Sequence, residues 1–138
     1  LNMLSNMRLC SNVPAQAIVQ TALGGYQSVE EYLVPGGRIY DQRECVYEAV
    51  QDIPGLSAVK PSAAFYIFPK IDTKRFNITN DEQFALDLLR EKRILIVQGS
   101  GFNWVEPDHF RIVYLPRKMD LIKAMNELGD FLETYHQN

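Results

Sequence analysis

The sequence has little cysteine and histidine, no excess of basic charge and no long hydrophobic run. Its two cysteines, Cys10 and Cys45, lie far apart, whereas a secreted disulfide-stabilised domain uses more cysteines in a shorter chain. We therefore expect two free thiols in a reducing cytoplasm. The net charge of −3 argues against nucleic acid and anionic membranes as partners. No apolar run approaches the ~20 residues that a membrane span requires.

Metal and nucleophile motifs are also missing. The two histidines, His109 and His136, share no ligand spacing with either cysteine, so no metal site is predicted. The segment Gly99-Ser100-Gly101 lacks both the G-x-S-x-G pattern of a nucleophile elbow and the spacing of a phosphate-binding loop. We interpret these glycines as turn residues in a loop between two core strands, which is a common place for a pocket.

The order of patterns predicts one domain of mixed α/β class. A chain of 138 residues is long enough to close a hydrophobic core by itself. The first part predicts a series of helices, and the second part predicts a ββαββα unit. In the resulting α+β two-layer arrangement, a small sheet carries helices on one face. The predicted helices cover 15–23, 28–34, 38–52, 81–93 and 118–137, with strands at 57–60, 64–71, 94–97 and 109–116.

Arg111 is the most informative single residue. In the strand HFRIVYLP (109–116) it shares one face with Val113 and Leu115, because successive side chains alternate between faces. One interpretation is an edge-strand arginine whose stem packs on Val113 while its head reaches water or a structural aspartate. The other is an arginine that binds a planar anion, for which a carboxylate fits best through two parallel hydrogen bonds.

An ordered set of motifs carries a family resemblance over nearly the whole chain. In order, they are SNVPAQAIVQTAL (11–23), YLVPGGRIYDQRECVYEAVQDIPG (32–55), KPSAAFYIFPKI (60–71), VQGSGFNW (97–104) and HFRIVYLP. This set resembles the C-terminal small domain of class I/II (fold type I) pyridoxal-phosphate-dependent aminotransferases. It is most similar to the bacterial glutamate–pyruvate, or alanine-forming, aminotransferases.

The resemblance implies roles for particular residues. In the family, the arginine of the R-I-V-x-L-P motif binds the substrate α-carboxylate, and that position is Arg111 here. Phe102, Asn103 and Trp104 match the segment near the mouth of the active site, without an assigned role. Ala63 stands where the family often has glycine, so the chain departs from the family pattern at this position.

The resemblance also implies parts that this chain lacks. The family holds pyridoxal 5′-phosphate through a lysine in a Ser-x-x-Lys or Ser-x-Ser-Lys context, and we assign none of the six lysines to that setting. No catalytic or cofactor-binding residue, and no bound cofactor, is therefore expected in the isolated chain, which should be inactive. Residues 1–34 would link to a missing large domain, and 35–138 would form the small domain. The start at Leu1 rather than Met agrees with a piece of a longer, cytoplasmic protein.

The implied parent is a homodimeric enzyme that transfers an amino group between glutamate and pyruvate. Its partners would be amino acids and keto acids, the large domain and the partner subunit. Two alternatives stay open from the residues alone. The chain could be a free-standing carboxylate-binding or regulatory module that uses Arg111, or an interaction domain with no ligand.

Overall fold

The protein is described by a computed structural model that covers residues 11–26 and 28–138. Within these ranges, the chain forms four α-helices and five short β-strands. The helices are α1 (Val13–Gly24), α2 (Arg38–Asp52), α3 (Asp81–Lys92) and α4 (Lys118–Thr134). The strands are β1 (Leu56–Ser57), β2 (Tyr66–Ile67), β3 (Lys70–Ile71), β4 (Val97–Gln98) and β5 (Phe110–Val113).

The strands form two small antiparallel sheets rather than the single sheet expected. β1 pairs with β3, and β5 lies between β2 and β4 in the order β2-β5-β4. The mixed α+β class is confirmed, but the predicted ββαββα order is wrong by one strand. The order from residue 56 onward is βββαββα.

The extra strand arises because the predicted strand 64–71 is divided at Phe68-Pro69. Proline has no N–H to give to a sheet, so pairing is interrupted where it stands. The backbone carbonyl of Pro69 still accepts a bond of 3.2 Å from the N–H of Phe110. The segment before the proline joins β5 and the segment after it joins β1, so one apolar run serves two sheets. The predicted strands 57–60 and 94–97 are likewise reduced, to β1 and β4.

The three main helices agree with their predicted ranges to within a few residues, and α3 begins at Asp81 as predicted. The spacing of Thr79 and Glu82 predicts a capping box with Thr79 as the N-cap, and this is wrong. The N-cap is Asn80, whose side chain accepts a hydrogen bond from the Gln83 N–H. The predicted helix 28–34 is only a 3-10 turn over Ser28–Tyr32. α1 begins with Pro14 in its first turn and buries none of its residues against the rest of the described chain.

Thr79 is engaged elsewhere because the C-terminal tail folds back over the start of α3. The Oε1 atom of Gln137 accepts from the N–H groups of Thr79 and Asn80 at 2.7 and 2.8 Å, and its Nε2 donates to the Asn80 carbonyl at 2.7 Å. Gln137 is only 4% exposed, and these bonds satisfy its amide. No sequence pattern around Gln137 predicted this role.

The core lies between the helices and the inner face of the β2-β5-β4 sheet. α2 packs on α4, and α4 also contacts α3. The predicted stripe on α4 is confirmed, since Leu121, Met125, Leu128 and Leu132 are all buried. Cys45 is a free, partly buried thiol, whereas Cys10 lies outside the described residues. A search of the described residues finds no helix long and apolar enough to cross a membrane.

Ala63 and Ala64 lead into β2, and the second of them has an unusual backbone conformation. Ala64, and not Ala63, has a positive φ of 58°, a left-handed conformation that costs an L-residue more than glycine. Its carbonyl accepts a 3.1 Å hydrogen bond from the hydroxyl of buried Tyr114. The left-handed residue is therefore held by the core residue beneath it.

Replacing Ala64 by glycine should stabilise the chain by about 0.5–1 kcal/mol, because glycine adopts this φ without the steric cost. The matched change Ala63→Gly, at a position without positive φ, should destabilise by a similar amount through added freedom of the unfolded chain. Urea unfolding of both variants checks this. Equal destabilisation by the two changes would show that Ala64 bears no strain.

Candidate functional site

Arg111 lies on the central strand of the three-stranded sheet. It pairs with Val97 of β4, and Val113, two residues further, pairs with Tyr66 of β2. Phe110 and Tyr114 are 1% exposed, whereas Arg111 is partly exposed, so the predicted alternation of faces is present. The edge-strand interpretation of this arginine is wrong, because β5 has a neighbour on both sides.

Two aromatic rings hold the guanidinium group of Arg111. Its Cζ atom lies 4.6 Å from the ring centroid of Tyr66 and 4.3 Å from that of Phe102. Both distances are typical of cation–π contacts, which arginine forms readily with its planar, weakly hydrated head. The rings thus support the cation without using its hydrogen-bond donors.

Those donors have no acceptor within the described part of the chain. The Nε atom of Arg111 is buried and makes no hydrogen bond, and no described carboxylate pairs with the guanidinium. The structural aspartate of the simpler interpretation is therefore not found among these residues. A buried guanidinium donor without a partner is costly, and a planar anion would offset that cost.

The three residues of the loop 102–104, predicted to lie near the mouth of a site, differ in their contacts. Phe102 ends a 3-10 turn, Gly99–Phe102, and places its ring on Arg111. Asn103 has a φ of 59°, a conformation that asparagine tolerates better than most residues, and it ends the turn. Trp104 points to Phe68 and His109, at centroid distances of 5.8 and 4.5 Å, rather than to Arg111.

An aromatic cluster therefore continues the Arg111 site across the outer face of the sheet. We define it as Phe68, Phe102, Trp104 and His109. Phe68 stacks on His109 at 4.9 Å and meets Phe102 edge-on at 6.2 Å. Tyr66, Phe68 and His109 were not predicted as site residues from the sequence. Alternation along a strand could have indicated a shared face, because Phe68 is two residues from Tyr66 and His109 is two residues from Arg111.

The carboxylate of Asp108 contacts two rings of this cluster and one lysine. One carboxylate oxygen lies 2.7 Å from Nδ1 of His109 and accepts the indole N–H of Trp104 at 2.8 Å, and the other lies 3.2 Å from Nζ of Lys70. Burial alone would raise the pKa of Asp108. The hydrogen bonds from His109, Trp104 and Lys70 outweigh that effect and lower the pKa to about 2. Asp108 is thus ionised and fixes the orientation of both rings.

Asp108→Asn should destabilise the chain by about 1–2 kcal/mol near neutral pH, in a pH-dependent way. The folded-state pKa of about 2 lies below the value of 3.8 for an unperturbed aspartate. Its stabilising effect is therefore complete well above pH 4 and disappears as the pH falls toward 2. Urea unfolding of wild type and variant at several pH values measures the difference.

Glu106→Gln is the matched control, because Glu106 is exposed in the same loop and makes no hydrogen bond or ion pair with another described residue. It should change stability by less than about 0.5 kcal/mol at neutral pH. A difference for Asp108→Asn that stays constant from pH 7 to pH 2.5 would contradict the assigned pKa.

Lys60 is engaged at the surface of α2, away from the residues around Arg111. Contrary to the expectation above, Lys60 does have the Ser-x-x-Lys spacing, with Ser57. Its ammonium group lies 2.5 Å from Glu44 and 5.5 Å from the ring centroid of Tyr47, and both partners belong to α2. It is accordingly a surface ion pair and contacts none of the residues around Arg111. The described residues also contain no group of three potential metal ligands.

Comparisons with known proteins indicate the family and the fold of the chain. The chain is 56% identical over 137 residues to glutamate-pyruvate aminotransferase AlaA of Escherichia coli. This match covers 99% of this chain and 34% of that protein. It is 50% identical to the alanine aminotransferase of Mycobacterium tuberculosis, over 99% of this chain and 32% of that protein. The fold matches the crystal structure of an aminotransferase from Escherichia coli with a TM-score of 0.90 over the same shares of the two chains, 99% and 34%.

The chain corresponds to the C-terminal portion of a fold type I aminotransferase. It spans about a third of the length of the curated aminotransferases it matches. No protein-family model matches the chain. The aminotransferase resemblance read from the ordered motifs is therefore confirmed, and so is the mixed fold that it implied.

Proposed function

We propose that this chain is the substrate-carboxylate-binding part of an aminotransferase that moves an amino group between glutamate and pyruvate. Two relatives are named as glutamate-pyruvate and alanine aminotransferases, which supports this pair of substrates. The observation that carries the proposal is the Arg111 guanidinium, which is held by two rings and has a buried donor with no acceptor among the described residues.

Arg111 binds the α-carboxylate, the group that every amino acid and keto acid substrate shares. Its planar fork donates two parallel hydrogen bonds to the two carboxylate oxygens. The rings of Tyr66 and Phe102 contact the guanidinium, which helps the fork to keep its orientation. A lysine would supply the charge but not the paired geometry.

The remaining chemistry belongs to residues outside this chain. Pyridoxal 5′-phosphate supplies the electron sink for amino-group transfer when it is bound. Lys60, the lysine with the Ser-x-x-Lys spacing, is engaged by Glu44 and does not fit that group, so its covalent attachment and phosphate site are assigned to a large domain. Residues 1–34 connect to that domain and 35–138 form the small domain. The exposed apolar side chains of α1 suit a surface covered by the large domain or by the partner subunit of a homodimer.

A direct assay of the whole protein tests this function. The protein that contains this chain is purified with pyridoxal 5′-phosphate, and alanine formation from glutamate and pyruvate is measured. We expect steady turnover, and none from residues 1–138 alone. The alternative, a free-standing carboxylate-binding module, requires that the natural protein bind small carboxylates through Arg111 with no transamination. That result would overturn the proposed reaction and leave the binding role of Arg111.

A further inference from the structure

The turn that carries Phe102 is tied to helix α3 by one buried carboxylate. Asp81, the first residue of α3, is 7% exposed. Its Oδ2 atom accepts the backbone N–H of Ser100 at 2.7 Å, and its Oδ1 atom accepts the Ser100 hydroxyl at 2.9 Å. Both oxygens are thus engaged by the second residue of the Gly99–Phe102 turn.

These bonds are strong enough to fix the turn. Hydrogen bonds to a carboxylate are among the stronger ones in proteins, and two bonds from one residue set its orientation as well as its distance. Asp81 stands in the first turn of α3, where the positive end of the helix favours an acidic side chain. The two bonds keep Ser100 against the start of this helix.

Hydrogen bonds within the turn connect Ser100 to the residue that contacts Arg111. The N–H of Asn103 donates to the Ser100 carbonyl at 3.0 Å, and the N–H of Trp104 donates to the Gly99 carbonyl at 3.2 Å. The ring of Phe102, inside this hydrogen-bonded turn, lies 4.3 Å from the guanidinium carbon of Arg111. The other end of the turn is set by Gly99, where an added Cβ would lie 2.8 Å from the His109 carbonyl oxygen.

We infer that Asp81 is a positioning residue for the Arg111 site, which it controls through Ser100 and Phe102. The inference rests on the proposed carboxylate role of Arg111. Without the Asp81–Ser100 bonds, the turn loosens, the Phe102 ring leaves one face of the guanidinium, and the fork is held less firmly for a carboxylate. The expected result is weaker substrate binding, with the chemical step little changed once substrate is bound.

The test uses the holoenzyme that contains this chain and the variants Asp81→Asn and Ser100→Ala. Each should raise the KM for pyruvate about 5-fold or more and leave kcat within about 2-fold, within the coupling range for contacting residues. The control is Asn80→Ala, which removes the N-cap bond to Gln83 at the same helix end and does not touch Ser100. It should lower the stability and leave the KM unchanged.

A double-mutant cycle separates positioning from general stability. If Asp81 acts through Phe102, Ser100→Ala should change the KM much less in a Phe102→Leu background than in wild type. Additive effects, or a KM for Ser100→Ala equal to that of Asn80→Ala, would overturn the inference. If Asp81→Asn does not fold, Ser100→Ala alone tests the inference. This variant keeps the Asp81 carboxylate and the bond that it accepts from the Ser100 N–H.

Arg111→Lys distinguishes failure of this inference from failure of the proposed function. A raised KM for Arg111→Lys together with an unchanged KM for Ser100→Ala would reject the positioning role only. An unchanged KM for both variants would reject the carboxylate role of Arg111, and with it the basis of the inference.

Discussion

Arg111→Lys in the holoenzyme should weaken keto acid binding by about 10- to 150-fold, equivalent to about 1.5–3 kcal/mol. Lysine keeps the positive charge but cannot donate two parallel bonds to one carboxylate, and it loses the flat group that contacts the rings of Tyr66 and Phe102. Equilibrium titration with pyruvate, followed by the absorbance of the bound cofactor, measures the change. The spectrum before titration should equal that of wild type, because Arg111 is proposed to bind the substrate and not the cofactor.

Arg117→Lys is the matched control for this substitution. Arg117 lies six residues later, is exposed, and its side chain makes no ion pair or hydrogen bond with another described residue. The control should bind pyruvate as wild type does. Equal affinity of Arg111→Lys and wild type would show that the carboxylate binds elsewhere.

Phe84→Ala should have the largest effect on stability, with a loss of about 3–5 kcal/mol in the free energy of unfolding. Phe84 is 1% exposed, and its ring lies 5.6 Å from the rings of both Phe110 and Tyr135 and 6.2 Å from that of Phe131. Removing it opens a cavity between α3, α4 and the strand that carries Arg111. Urea unfolding monitored by circular dichroism measures the loss.

Leu86→Ala provides the comparison on the same helix, because Leu86 is 37% exposed. It should cost less than about 1 kcal/mol. If the two substitutions were equally destabilising, Phe84 would not be the centre of this core. Pyruvate affinity of the Phe84 variant at low temperature, where it remains folded, should decrease less than that of Arg111→Lys.

The helical part of the fold was predictable because its signals are local. The apolar stripes of α2 and α4 follow the helical period, and their bounds came within a few residues of the structure. The strand pairing was not predictable to the same degree. Strands of two to four residues carry too few alternating positions to set a register. Pro69 also divides one apolar run between two sheets, which only long-range pairing decides.

The candidate site was likewise only partly predictable from the sequence. Arg111 was identifiable from the sequence because a charge in an apolar strand is a local anomaly. The likeness of the surrounding motif to aminotransferases then supplied a reason for it. Its partner Phe102 was placed near the site without a role, since a loop conformation cannot be read from composition. The bonds between Asp81 and Ser100 join residues 19 positions apart, and neither residue type is unusual where it stands.

The most direct test of the carboxylate role is a crystal structure of the holoenzyme with glutarate, an unreactive dicarboxylate with the carbon skeleton of glutamate. We expect two guanidinium nitrogens of Arg111 to lie about 2.7–2.9 Å from the two oxygens of one carboxylate, with the rings of Tyr66 and Phe102 still in contact with the guanidinium. A glutarate whose carboxylates are both bound by other residues, with the Arg111 fork turned to solvent, would contradict the account.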